Sequence, residues 1–187
     1  MSDTSDLWRT DSATLRDVVL DRKAMEDALA KGCSRLDRVR FLMLLNREDE
    51  ALREGFDLLV DSTDRRELLL VLAQAFQHQY RWHEAARLQE EALQLASTRV
   101  QEAHVRDHIG RRFFDEARYR DAAAEFQWAS DLYRVSGNHQ LADQSRRAMQ
   151  RSQDVHAKDL YRLSDKPSGL ASRDIFASGD IDAPLDD

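Results

Sequence analysis

The chain has 187 residues, 42% of them hydrophobic and 34% charged, enough for one domain with a buried core and too few for two comfortable ones. That balance excludes a chain disordered throughout, and no run approaches the roughly 18 apolar residues of a membrane-spanning helix. The formal net charge of −7 argues against general attraction to phosphate backbones, so neither nucleic acid nor a membrane is an expected partner.

Residues 1–12 read as a flexible N-terminus without the basic start and apolar core of a secretory leader. The single cysteine, Cys33, forms no internal disulfide and reads as a packing residue, and a cytoplasmic location is expected. The only prolines are Pro167 and Pro184, so nothing before them removes a backbone donor, and helix is expected nearly throughout residues 13–163. Strand signals are missing: no alternating β-branched run and no Asn-Gly or Asp-Gly turn occurs.

Ser12 is read as the start of a first helix with the stripe Leu15, Val18, Val19, Met25 and Leu29, ended by Gly32. Ser34 and Asp37 have capping-box spacing and open a second helix with its apolar part at residues 39–45, after which Asn46 tolerates a turn. A third helix is expected at about residues 48–61. Asp64 and Glu67, then Thr98 and Gln101, repeat the spacing of a reciprocal cap ahead of later helices. Gly137 and Asn138 stop a seventh, and an eighth carries Leu141, Ala148, Met149, Val155 and Leu160 on one side. Residues 164–187 change character: six aspartates against Lys166 and Arg173 give a net charge of −4, read as a disordered acidic tail.

Self-comparison supplies the most specific signal. Leu72-Ala73, Phe76, Trp82, Ala85 and Ala92 align with Ile109-Gly110, Phe113, Tyr119, Ala122 and Ala129 at a constant spacing of 37. The pattern resembles the tetratricopeptide repeat, a helix-turn-helix unit with small residues where helices crowd and aromatic residues where they part. It departs from that repeat in length, in lacking the terminal proline, and in having Tyr80 and Ala117 where glycine often marks the inner turn. A third, degenerate unit is placed earlier, with Leu42 and Ala51 in the first-aromatic and first-alanine positions. The expected fold is therefore all-α, a right-handed α-α superhelix of about eight helices.

The resemblance implies a protein-binding role, with a peptide or partner helix in the concave groove. Counting along the first helix of each pair places Arg40, Met43, Leu70, Gln74, Gln77, His78, Asp107, His108, Arg111 and Phe114 along that groove. Arg111 stands out because a guanidinium grips a carboxylate bidentately. The leading function is an adaptor or scaffold, with a dedicated chaperone or immunity-type inhibitor of one client as the alternative. The tail segments Asp174-Ile175-Phe176 and Gly179-Asp180-Ile181-Asp182 could dock in the groove of the same or another copy.

No catalytic or cofactor signature appears: there is no phosphate loop, nucleophile elbow, His-Glu-x-x-His or cysteine pair. His104 and His108 have the spacing of a shared metal, but only Glu102 and His78 lie within reach as further ligands, and no metal is expected. Trp8, Trp82 and Trp128 are read as core or cap packing rather than as stacking platforms for bases.

Overall fold

The computed structural model describes residues 7–164. A β-hairpin, β1 (Trp8–Thr10) and β2 (Asp17–Val19), precedes eight helices: α1 (Arg22–Lys31), α2 (Arg35–Leu44), α3 (Glu48–Leu59), α4 (Arg65–His78), α5 (Trp82–Gln94), α6 (Arg99–Asp115), α7 (Tyr119–Val135) and α8 (His139–Ser164). The fold is all-helical apart from this hairpin. No described helix is long and apolar enough to cross a membrane. The tail beyond residue 164 lies outside the described residues.

Several helix ends follow from the residues that cap them. Ser34 Oγ accepts the Asp37 amide at 3.0 Å and donates to the Asp37 carboxylate at 2.7 Å, opening α2. Thr98 Oγ1 accepts the Gln101 amide at 3.2 Å, while Gln101 Oε1 reaches back to the Ser97 amide at 2.9 Å. Gly32 closes α1 at φ 97°. The cap expected at Asp64 does not form: no side-chain bond is made there, and the Glu67 carboxylate meets His104.

From α2 to α8 each helix packs on the next, and α2, α4 and α6 also touch in succession. Helix α4 is the centre of the stack, with Leu68 through Ala73 and then Ala75, Phe76 and Gln77 all buried. A helix apolar nearly all round needs neighbours on every side, and α2, α3, α5 and α6 supply them. Small residues set how near the neighbours come. Ala73, Ala85, Ala92, Ala122 and Ala129 are fully buried. A Cβ on Gly110 would lie 2.8 Å from the Phe126 ring, and one on Gly55 would lie 2.4 Å from Leu72 Cδ2. A methyl group there would force a shift, so the Phe126 ring of α7 rests directly on the α6 backbone and the Leu72 side chain of α4 on the α3 backbone.

The turns between α2 and α3, α4 and α5, and α6 and α7 share one geometry. Asn46, Tyr80 and Ala117 adopt φ of 60°, 58° and 58°. In each turn the next residue is an arginine whose amide bonds back five residues, Arg47 to Leu42, Arg81 to Phe76 and Arg118 to Phe113, at 2.9, 2.9 and 2.8 Å. The same arginines pair with Glu50, Glu84 and Asp121, three residues on, at 2.5, 2.7 and 2.6 Å. Arg81 and Arg118 also lie over the Phe76 and Phe113 rings, 4.4 and 4.2 Å from their centroids. The side chains thus hold a left-handed backbone that glycine would adopt without cost.

Ala117 has no large side chain to lose, unlike Tyr80, which stacks edge-on with Trp82 at 5.6 Å. Ala117→Gly is therefore expected to stabilise the protein by about 1 kcal/mol, read as a rise in thermal midpoint; a lowered midpoint would contradict the assigned turn geometry.

Candidate protein-binding face

Residues 12–20 were expected to begin the first helix; they form the turn and second strand of the hairpin instead, and the helix starts only at Arg22. Trp8–Thr10, in the stretch expected to be flexible, is the first strand. The local cause is Asp11, whose Oδ1 accepts the Ala13 amide at 3.1 Å, the Thr14 amide at 2.8 Å and the Thr14 hydroxyl at 2.9 Å. Such a side-chain turn competes with helix, and the β-branched Val18 and Val19 favour the strand that follows. The supposed helical stripe is thereby divided. Leu15, at φ 58°, is buried with Ala122 and Phe126, Val19 packs on the α1–α5 core, and Met25 is fully buried on α1.

Alternation puts Trp8, Thr10, Asp17 and Val19 on the face of the hairpin turned to the helices, and Arg9 and Val18 on the outer face. Asp17 is the anchor. Its carboxylate accepts Thr10 Oγ1 at 2.7 Å, Gln74 Nε2 at 2.9 Å and Arg111 Nη1 at 3.1 Å. Gln74 and Arg111 are themselves 37 residues apart, so corresponding positions on α4 and α6 hold the two oxygens of one carboxylate. Glu67 and His104 have the same separation and meet at 3.3 Å. Further along, Arg16 pairs with Asp115 at 2.9 Å, and Arg151 of α8 donates to the Ala13 carbonyl at 2.9 Å.

The ten residues expected along a groove divide into three groups. Gln74, Asp107, His108 and Arg111 come together beneath or beside the hairpin, and Arg111 also holds Asp107 at 3.3 Å. Arg40 and His78 are half-buried; Arg40 pairs with Asp37 at 3.5 Å, and His78 Nδ1 lies 3.6 Å from a Glu48 carboxylate oxygen. Phe114 is half-buried and stacks edge-on with Tyr119 at 5.2 Å. Met43 and Leu70 are buried at 1% exposure and belong to the core, because their helices are covered on more sides than one apolar stripe suggests.

Gln77 is buried too, in a polar chain: Gln89 Nε2 donates to Gln77 Oε1 at 3.1 Å and to the His108 carbonyl at 3.1 Å. Arg112 Nε then donates to Gln89 Oε1 at 2.7 Å, and Arg112 pairs with Glu116. This chain ties α4, α5 and α6 together and satisfies groups that burial would otherwise penalise.

A half-enclosed cavity of about 490 Å³, unannounced by the sequence, lies between β1 and helices α6, α7 and α8. Leu15, Phe126 and Tyr133 form its apolar floor, Asp107 holds Ser145 there at 2.8 Å, and Leu141, Gln144 and Arg147 stand on its α8 rim. No periodicity in one helix announces it, since its walls join residues from opposite ends of the chain. Trp128 is not core packing: it is half exposed, with the Arg106 guanidinium 3.3 Å from its ring centroid. His104 stacks edge-on with His108 at 4.8 Å, and no cluster of three metal-type ligands occurs among the described residues.

Electrostatics separates the two sides of this face. Burial first, then the charges of His104, Arg111 and Arg40, push His108 well below its ordinary value of 6.5, so its ring is neutral. Burial would raise Glu67, but the hydrogen bond and charge of His104, joined by Arg66, outweigh it and hold the carboxyl at about 2. Burial likewise pushes the Tyr133 phenol up. No family model, no curated protein and no solved structure matches the chain.

Two outcomes are expected. Asp17→Ala should release the hairpin, with faster hydrogen exchange at the ladder amides of Arg9, Asp11, Val18 and Leu20 and a loss of about 2 kcal/mol; unchanged exchange would remove the anchor role. Because the unfolded state binds a proton on His108 more readily than the folded state, stability should fall as pH drops below 6.5. The thermal midpoint of His108→Asn should decline less than that of the wild type between neutral and mildly acidic pH.

Proposed function

We propose that the chain is a cytosolic adaptor built as a tetratricopeptide-like superhelix, whose face formed by α4, α6, α8 and the hairpin holds an extended segment of another protein. One observation carries this reading: the face already holds fourteen residues of its own chain, 7–20, through an apolar contact at Leu15 and a shared carboxylate at Asp17. A surface that takes a peptide of this kind in cis has the chemistry to take one in trans. The repeat reading is supported by the three matching turns, by the buried alanines and Gly110, and by corresponding residues that meet across layers. Helical-repeat arrays build binding surfaces in this way, by aligning equivalent positions along a row.

The test is native capture from the source cell using the full chain, with Leu141→Asp and Gln144→Glu as paired variants on the exposed α8 rim. The expected result is a partner retained in stoichiometric amount by the wild type and lost, at least tenfold, from both variants, which should melt normally; tenfold corresponds to about 1.4 kcal/mol. Absence of any retained protein, or retention indifferent to both substitutions, would overturn the assignment of this face.

A further inference from the structure

We propose that the partner segment binds by adding a strand to the free edge of β1, and that it alternates carboxylates with apolar side chains. The proposal rests on the protein-binding reading above and specifies its chemistry.

The sheet has two strands, so β1 has β2 on one side and no strand on the other among the described residues. The bonding pattern says which groups face that open side. Leu20 N–H donates to the Leu7 carbonyl, and Asp11 N–H donates to the Arg16 carbonyl, each at 2.8 Å. In an antiparallel pair the residues that exchange bonds alternate with those that do not. Leu7, Arg9 and Asp11 therefore turn their peptide groups to β2, while Trp8 and Thr10 turn theirs outward. An edge of this kind is a template for another strand, and proteins that use it gain affinity from main-chain bonds and selectivity from alternate side chains.

The space beside the edge fits such an occupant. The cavity of about 490 Å³ is lined by Trp8, Arg9 and Thr10 but by no residue of β2, so it lies on the open side of β1. Its volume is within the range of ordinary binding clefts. β2, on the other side of the hairpin, rests against α2. The wall is also held in place: Asp17, Arg16 and the Ala13 carbonyl fix the hairpin to α4, α6 and α8, so an incoming strand meets an ordered edge.

Charge and polarity then select the occupant. In a chain of net charge −7, this cavity is lined by three arginines, Arg9, Arg111 and Arg147, against one carboxylate, Asp107. Arg111 is committed to Asp17 and Asp107. The guanidinium groups of Arg9 and Arg147 make no ion pair or hydrogen bond among the described residues, although the charge of Arg9 acts on Asp11, and both side chains are exposed at the rim. A strand added to β1 presents one set of side chains to the floor of Phe126, Tyr133 and Leu15 and the other to Arg9 and Arg147. The complementary sequence has period two, apolar inward and acidic outward.

The test uses the full chain and a short labelled peptide alternating aspartate with leucine. Fluorescence anisotropy should show saturable binding, weakened about tenfold or more by Arg147→Glu, and absent for a peptide with lysine in place of aspartate. Hydrogen exchange at the Trp8 and Thr10 amides should slow on binding, and N-methylation of the peptide backbone should abolish the complex. Failure to bind, binding that survives Arg147→Glu, or binding that leaves those two amides unchanged would each overturn the proposal. If the peptide fails while a partner is still captured and lost from the Leu141 and Gln144 variants, strand addition is wrong and the protein-binding reading stands. If capture fails while the peptide binds as described, the edge site stands by itself.

Discussion

The architecture depends on large side chains of one helix seating directly on the backbone of the next, where that helix carries no side chain or only a methyl group. At Gly110 the Phe126 ring occupies the place of a Cβ, and at Gly55 the Leu72 side chain does. Buried alanines carry the same constraint to the other helix contacts. Because interiors pack at near-crystalline density, such contacts leave little freedom to slide, and they fix the register of one helix pair on the next. Register is what brings Gln74 beside Arg111 and Glu67 beside His104. The pairing of equivalent positions is thus a consequence of packing rather than of any local motif.

Polar groups inside the stack are few and connected. The chain from Gln77 through Gln89 to Arg112 and Glu116 crosses three helices, and each link is satisfied by the next. Among the described residues the buried side-chain atom left without a partner is Arg66 Nε. A guanidinium inside a helical stack is costly unless it is bonded on several sides, which Arg112 achieves through Gln89, Glu116 and the Phe113 ring, 4.3 Å from its Cζ atom. Hydrophobic periodicity placed the helices that surround this chain but carries no information about it, since glutamine and arginine are ordinary surface residues by type.

Much of the fold was legible because its signals are local. Stops at Gly32 and Gly137 mark the ends of α1 and α7, and caps at Ser34 and Thr98 the starts of α2 and α6, each to within two residues. The matched alanines and aromatics identified which helices crowd. Two things were not legible. The hairpin was lost because Leu15, Val18 and Val19 also suit a helical stripe, and the deciding turn at Asp11 has none of the glycine that marks the commonest hairpins. The cavity was lost because its walls come from β1 and α8, which no window of sequence contains together. Gln74, Asp107, His108 and Arg111, reached by counting one helical face, lie at the hairpin, whereas Met43 and Leu70 are in the core because α2 and α4 are enclosed on several sides.

The contact between Arg151 and the Ala13 carbonyl spans 138 residues of chain, and those from Asp17 to Gln74 and Arg111 span 57 and 94. On a ribosome, where synthesis proceeds at about 5–20 residues per second, the hairpin segment emerges before α4, α6 and α8 and must wait seconds for the surfaces that receive it. Helix pairs can form as they appear, each on the one before. Residues 7–20 are therefore late to settle, and their contacts are complete only when α8 is out.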